Sequence, residues 1–135
     1  VEIMDSSPIE IGCVYSDYTS WDIENQIKIR EYKPPFSVQG LQNDCIVNND
    51  SLFNLLALQK IAWQNPQNGR IEYYREELTT AEDYLLHLKI AQKMVTIHIP
   101  EDLLTVRVHK NNSTFSVPQQ EWQRNWARLR QLLNE

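Results

Sequence analysis

A change of period at Val95 constrains this chain more than any other feature. Before it, Thr79 and Thr80 offer helix caps, and Glu82 and Asp83 sit where the positive end of a helix dipole favours acids, so 80–94 reads as a helix. Its apolar residues form two rows, Ala81, Tyr84, Leu85, Leu88 and Ala91 on one side, and Leu86, Ile90 and Met94 on roughly the other. Such a helix needs protein over both sides. After it, Val95, Ile97 and Ile99 point one way and Thr96 and His98 the other, which is the period of a strand.

A four-residue hairpin loop at 100–103 sets Ile99 opposite Leu104, Ile97 opposite Val106 and Val95 opposite Val108. A second turn at Asn111 and Asn112, residues that tolerate positive φ, sets Val108 opposite Phe115 and Val106 opposite Val117. Both registers gather the apolar residues on one side, so the spacing predicts a three-stranded antiparallel meander over 95–117. The other face carries His98, Arg107 and His109 among threonines and serines. Antiparallel sheets commonly keep one wet side, so a solvated face is the plain reading, and a shallow binding face around these three residues is the sharper one.

Two further helices are expected. Ser51 caps an apolar run that predicts a helix over 51–63, and Pro118 suits the first position of one over 118–133. On that last helix Trp122, Trp126, Leu129 and Leu133 make one stripe, with Arg124, Arg128 and Arg130 away from it. Such a stripe is more often core packing than a docking site, but a helix with two tryptophans is also a common way to present a partner-binding face. Trp122, Trp126, Leu129, Arg124 and Arg128 are therefore the candidate partner-binding residues.

Elsewhere, an extended lead-in over 1–8 precedes alternation from Ile9 to Tyr15 that reads as a strand, followed by a polar turn over 17–20. Trp21, Ile23, Ile27 and Ile29 share one parity and predict a second strand ending near Tyr32, closed off by Pro34 and Pro35. Residues 36–47 read as extended, with a short strand at 45–47, and 70–78 reads as a strand after the turn at 65–69. The expected architecture is one α+β domain, an antiparallel sheet including the meander, packed against two or three helices.

Composition narrows function mainly by exclusion. Hydrophobic residues make up 41% and charged residues 23%, as in a globular protein rather than a disordered one. A net charge of −5 argues against non-specific attraction to nucleic acid or an anionic membrane, leaving room for a local basic patch. No apolar run is long enough to cross a membrane and no intact signal peptide is present, so the cytoplasm is the expected compartment, while a start at Val1 leaves a processed leader open. Cys13 and Cys45 read as two buried thiols or, in an oxidising compartment, one disulfide.

No nucleotide-binding loop, zinc-protease motif, nucleophile elbow or calcium loop occurs. Of the acidic pairs Glu76-Glu77, Glu82-Asp83 and Glu101-Asp102, two fall near a helix start or a hairpin turn, where acids are ordinary. Val108-His109-Lys110 puts valine where a PD-(D/E)xK nuclease carries its acid. The histidines, His87, His98 and His109, do not pair as metal ligands in the registers above, so neither metal nor cofactor is expected.

Thr114-Phe115-Ser116-Val117-Pro118, followed by Gln119-Gln120-Glu121-Trp122 and a helix, is similar to the strand-to-helix ending of PC4-like single-stranded-DNA-binding domains. The resemblance is local. It implies a basic, aromatic-bearing sheet face, for which the predicted face offers Arg107 and two histidines. The function expected from the residues is a non-enzymatic protein–protein interaction domain, an adaptor, inhibitor, immunity-type protein or complex subunit, with another protein or a second copy as partner. The alternatives are nucleic-acid binding through the polar sheet face and the arginines of the last helix, and an enzyme of unfamiliar type using His98 or His109.

Overall fold

Alternation at the start of the chain runs further than its first residues suggest, because strand β1, Ile11–Asp22, continues straight through the expected turn at 17–20. The computed structural model describes residues 2–3 and 10–135, without the side chains of Ser113 and Phe115. Most of the expected lead-in, the strand start at Ile9 and the partner role given to the Phe115 side chain thus lie outside the described residues. The chain turns over 23–26, where the Asp22 carboxylate accepts the Glu24 and Asn25 N–H groups and Gln26 takes a positive φ of 53°. It returns as β2, Ile27–Glu31, antiparallel to the second half of β1. Trp21 therefore belongs to the first strand and not, as its parity suggested, to the second.

Helix α1, Val38–Asn43, occupies ground expected to be extended. Ser37 caps it by accepting the Gly40 N–H at 3.0 Å. The helix expected over 51–63 is divided in two. Leu52–Phe53 forms β3, paired antiparallel with the first half of β1, and α2, Leu55–Ile61, starts only where the Asn54 side chain accepts the Leu56 N–H at 3.0 Å. Strand pairing takes the two residues that helical periodicity also fitted. Leu55 and Leu56 stay exposed, at 61% and 64%, on a helix that the sequence suggested would be largely buried. Strands β4, Trp63–Gln64, and β5, Ile71–Glu72, form a small ribbon around a turn that contains Gly69 at φ 70°.

Helix α3, Glu82–Lys93, is the centre of the core and carries the two buried sides that its rows of apolar residues require. It packs closely on β1. A side chain at Gly12 would place its Cβ 2.7 Å from Cγ2 of Ile90, so only glycine lets strand and helix approach this far. Neither threonine caps α3. Ala81 occupies the cap position in the left-handed region, φ 61°, and both hydroxyls instead accept hydrogen bonds from the Asn125 side chain, at 2.9 and 2.8 Å.

The meander does not form. Strand β6, Val95–Val108, runs parallel to β1 along almost its whole length, from Ile11↔Val95 to Asp22↔Val108. Pro100, Glu101 and Leu103 are taken up as irregularities on either side of the Asp17↔Asp102 pair, where the sequence suggested a hairpin. A bulged continuous strand keeps Leu104, Val106 and Val108 on one side just as a hairpin would, which is why parity could not separate the two. Ser113–Ser116 is a turn of helix, α4, so the third strand is absent, and with it the strand-to-helix ending shared with PC4-like domains. Helix α5, Gln119–Leu132, closes the core with Leu129 and Leu132. The fold is α+β with a mixed sheet: β1 in the centre, β6 parallel on one side, and β3 and β2 antiparallel on the other.

Candidate functional site

The sheet has two halves of different character. From Ile11 to Asp17 every residue of β1 is buried, on both faces. Beyond Asp17 in β1 and Thr96 in β6, no residue of β1, β2 or β6 is buried. Among the described residues, this part of the sheet is left partly or fully exposed.

The registers assign the two faces of this extension. One carries Tyr18, Ser20 and Asp22 in the centre, Ile27, Ile29 and Glu31 on one flank, and Leu104, Val106 and Val108 on the other. Ile27 and Ile29 are 51% and 56% exposed. All the residues of this face except Leu104, together with Asn112 and Thr114, line a groove of about 390 Å³. The opposite face carries Trp21 in the centre, Lys28 and Arg30 on β2, and Thr105 and Arg107 on β6. There the Lys28 ammonium lies 5.1 Å from the centre of the Trp21 ring, and the Arg30 guanidinium lies 4.7 Å from that of Tyr32.

Among the described residues both outer strands pair only with β1, so each leaves one edge without a strand partner there. On β6 the direction of the backbone groups follows from one bond. The Ile23 N–H donates to the Val108 carbonyl, so alternate residues Val108, Val106 and Leu104 turn their backbone groups toward β1, while Thr105 and Arg107 turn theirs outward. Of the outward groups, the Arg107 carbonyl accepts from the Asn112 side-chain amide at 3.4 Å.

Asp17 marks the joint between the two halves. Its buried carboxylate accepts the Lys33 backbone N–H at 2.9 Å and the Arg30 guanidinium at 3.3 Å, and lies 2.8 Å from Nε2 of His98. Burial alone raises such a carboxyl, but these three partners outweigh it and hold the group below its ordinary range. The His98 ring also stacks on Tyr15, at 4.9 Å between centres.

The expected polar face is therefore not one site. His98 is nearly covered, with 9% of its side chain exposed, and bound to Asp17, whereas Arg107 and His109 are exposed on the extension, Arg107 opposite Trp21. On α5 the stripe faces inward in part. Leu129 is buried, and Trp122 and Trp126 are half-buried against the core, Trp126 with its ring 5.1 Å from that of Tyr84. Arg128 pairs with Glu77 at 2.7 Å, while Arg124 is exposed. The outer parts of both indoles line a shallow groove with Gln119, Gln123, Ala127 and Arg130.

Cys13 and Cys45 are both free, and burial pushes each thiol up to about 12, which keeps them protonated and weakly nucleophilic. Among the described residues no group of three or more His, Cys, Asp or Glu side chains is placed to hold a metal ion, and no helix is long and apolar enough to cross a membrane. No protein-family model matches the chain, and no curated protein is significantly similar to it.

Proposed function

We propose that this domain acts by binding another protein, and that the partner adds an extended segment to the open edge of β6. The observation that carries this reading is the outward-facing backbone of Thr105 and Arg107, beside an apolar row, Leu104, Val106 and Val108, that the described residues leave only partly covered. An open edge supplies hydrogen bonds, and alternate pockets beside it select side chains. Natural sheets protect such edges with charges, prolines or bulges. Here the irregularity lies at 100–103, and Leu104-Thr105-Val106-Arg107-Val108 beyond it is regular and carries one charge. The partner segment has apolar residues at every second position, to extend the row of Leu104, Val106 and Val108, and an acid on the alternate parity near Arg107.

Selection from a random peptide library tests this. Selected peptides are expected to share a period-2 apolar pattern and to lose binding to Thr105→Pro. That substitution removes an outward N–H and leaves the bonds to β1 in place. Peptides without the pattern, or bound equally by Thr105→Pro, contradict it.

A second reading rests on the opposite face, where Trp21 lies between Lys28 and Arg107, a combination suited to stacking a base and neutralising a phosphate. It predicts salt-sensitive binding of a single-stranded oligonucleotide that Arg107→Glu abolishes. Affinity unchanged by that substitution removes it.

A further inference from the structure

Away from the extension, a cavity of about 420 Å³ lies between the end of α2, the outer side of α3 and the residues after α5. Its walls carry four cations, Lys60, Arg75, Lys89 and Lys93, against one carboxylate, Glu135, in a chain whose net charge is −5. Two of the cations are answered by acids. Lys60 pairs with Glu10 at 2.7 Å, and Arg75 bonds Glu77 and Glu135 while its guanidinium lies 3.5 Å from the centre of the Trp63 ring. The other two have no acid within bonding distance among the described residues: the Lys93 ammonium reaches the Lys60 carbonyl, at 3.5 Å, and Lys89 makes no hydrogen bond or ion pair.

Lys89 and Lys93 stand one helical turn apart on the same side of α3, where like charges repel. Partial burial and the charge of Arg75, with a smaller push from Lys93, outweigh the Glu135 carboxylate and hold the Lys89 ammonium below its ordinary range. The lining is mixed, and its apolar share comes from residues such as Ile61, Leu85, Leu86 and Leu133. Arg75 adds a buried Nε that has no hydrogen-bond partner among the described residues.

We infer that this cavity binds a small organic phosphate. Two ammonium groups that no acid contacts, on residues a turn apart, match the two charges of a phosphate monoester better than the single charge of a carboxylate, and the apolar side chains of the lining take a ring that free phosphate lacks. The volume suits a ligand of nucleoside-monophosphate size. This site is independent of the β6 edge, with which it shares no residue.

Calorimetric titration of the full chain with adenosine monophosphate, adenosine and inorganic phosphate tests it. The monophosphate is expected to bind, and the other two at least about tenfold more weakly, since each forfeits one class of contact. Lys89→Met with Lys93→Met should weaken binding by about a hundredfold, one factor of ten for each lost charge-assisted hydrogen bond, while Lys89→Arg with Lys93→Arg retains it. Amide shifts in the wild type on adding the monophosphate should centre on Trp63 and Lys89, a readout that needs no variant to fold. No binding at millimolar monophosphate, equal affinity for inorganic phosphate, or shifts centred elsewhere would overturn the assignment.

Discussion

His87 is the residue whose surroundings the sequence hides most completely. Its ring is buried at 2% exposure, lies 5.5 Å from that of Phe53 between centres, and has no hydrogen-bond partner on either nitrogen among the described residues. Burial, assisted by the positive charge of Lys33, holds it down to about 4. An unfolded histidine takes up its proton near pH 6.5, so between about pH 6.5 and about 4 the unfolded chain carries a proton the folded chain refuses, and stability falls as pH falls. Urea unfolding should therefore show a loss on the order of 2–3 kcal/mol between about pH 7 and about pH 4.5, absent in His87→Phe. An equal acid loss in the variant would contradict this. Asp17 acts lower on the scale: its carboxyl is depressed, so its contribution is present above the unfolded carboxylate value of about 3.9 and is lost only below it. Helical spacing puts His87 beside Asp83 on a polar border of its helix. Its burial without partners was not legible, because it depends on which distant side chains close over it.

At the scale of elements, the strongly periodic helices were the legible part. Those expected over 80–94 and 118–133 appear as Glu82–Lys93 and Gln119–Leu132, because an apolar stripe repeated over several turns admits few other structures. Their ends were less so. Thr79 and Thr80 have the chemistry of caps, yet both are engaged by Asn125, some 45 residues away, and no local rule contains that contact. Helix α5 holds the core by Leu129 and Leu132, at 2% and 0% exposure. Leu132→Ala should cost about 2–5 kcal/mol in chemical unfolding, as expected when a buried leucine leaves a cavity, while Arg124→Ala stays within about 0.5 kcal/mol. Similar costs for the two would mean that α5 does not close the core.

At the scale of the whole molecule, sheet topology was the least legible feature. Alternation specifies which residues share a face. It does not specify which strand lies beside them, and the parallel β1–β6 pair joins residues more than eighty positions apart in sequence. The proposed partner surface depends on that pairing, since an antiparallel meander would have paired the edge at Thr105 that has no strand partner among the described residues. The most direct test is amide hydrogen exchange along β6 in the free protein, followed residue by residue by NMR. The parallel pair with an open edge predicts alternation: slow exchange at Leu104, Val106 and Val108, whose N–H groups face β1, and fast exchange at Thr105 and Arg107. Protection at Thr105 and Arg107 equal to that at Val106 would mean that the edge is already covered, and the proposed partner site would have to be abandoned.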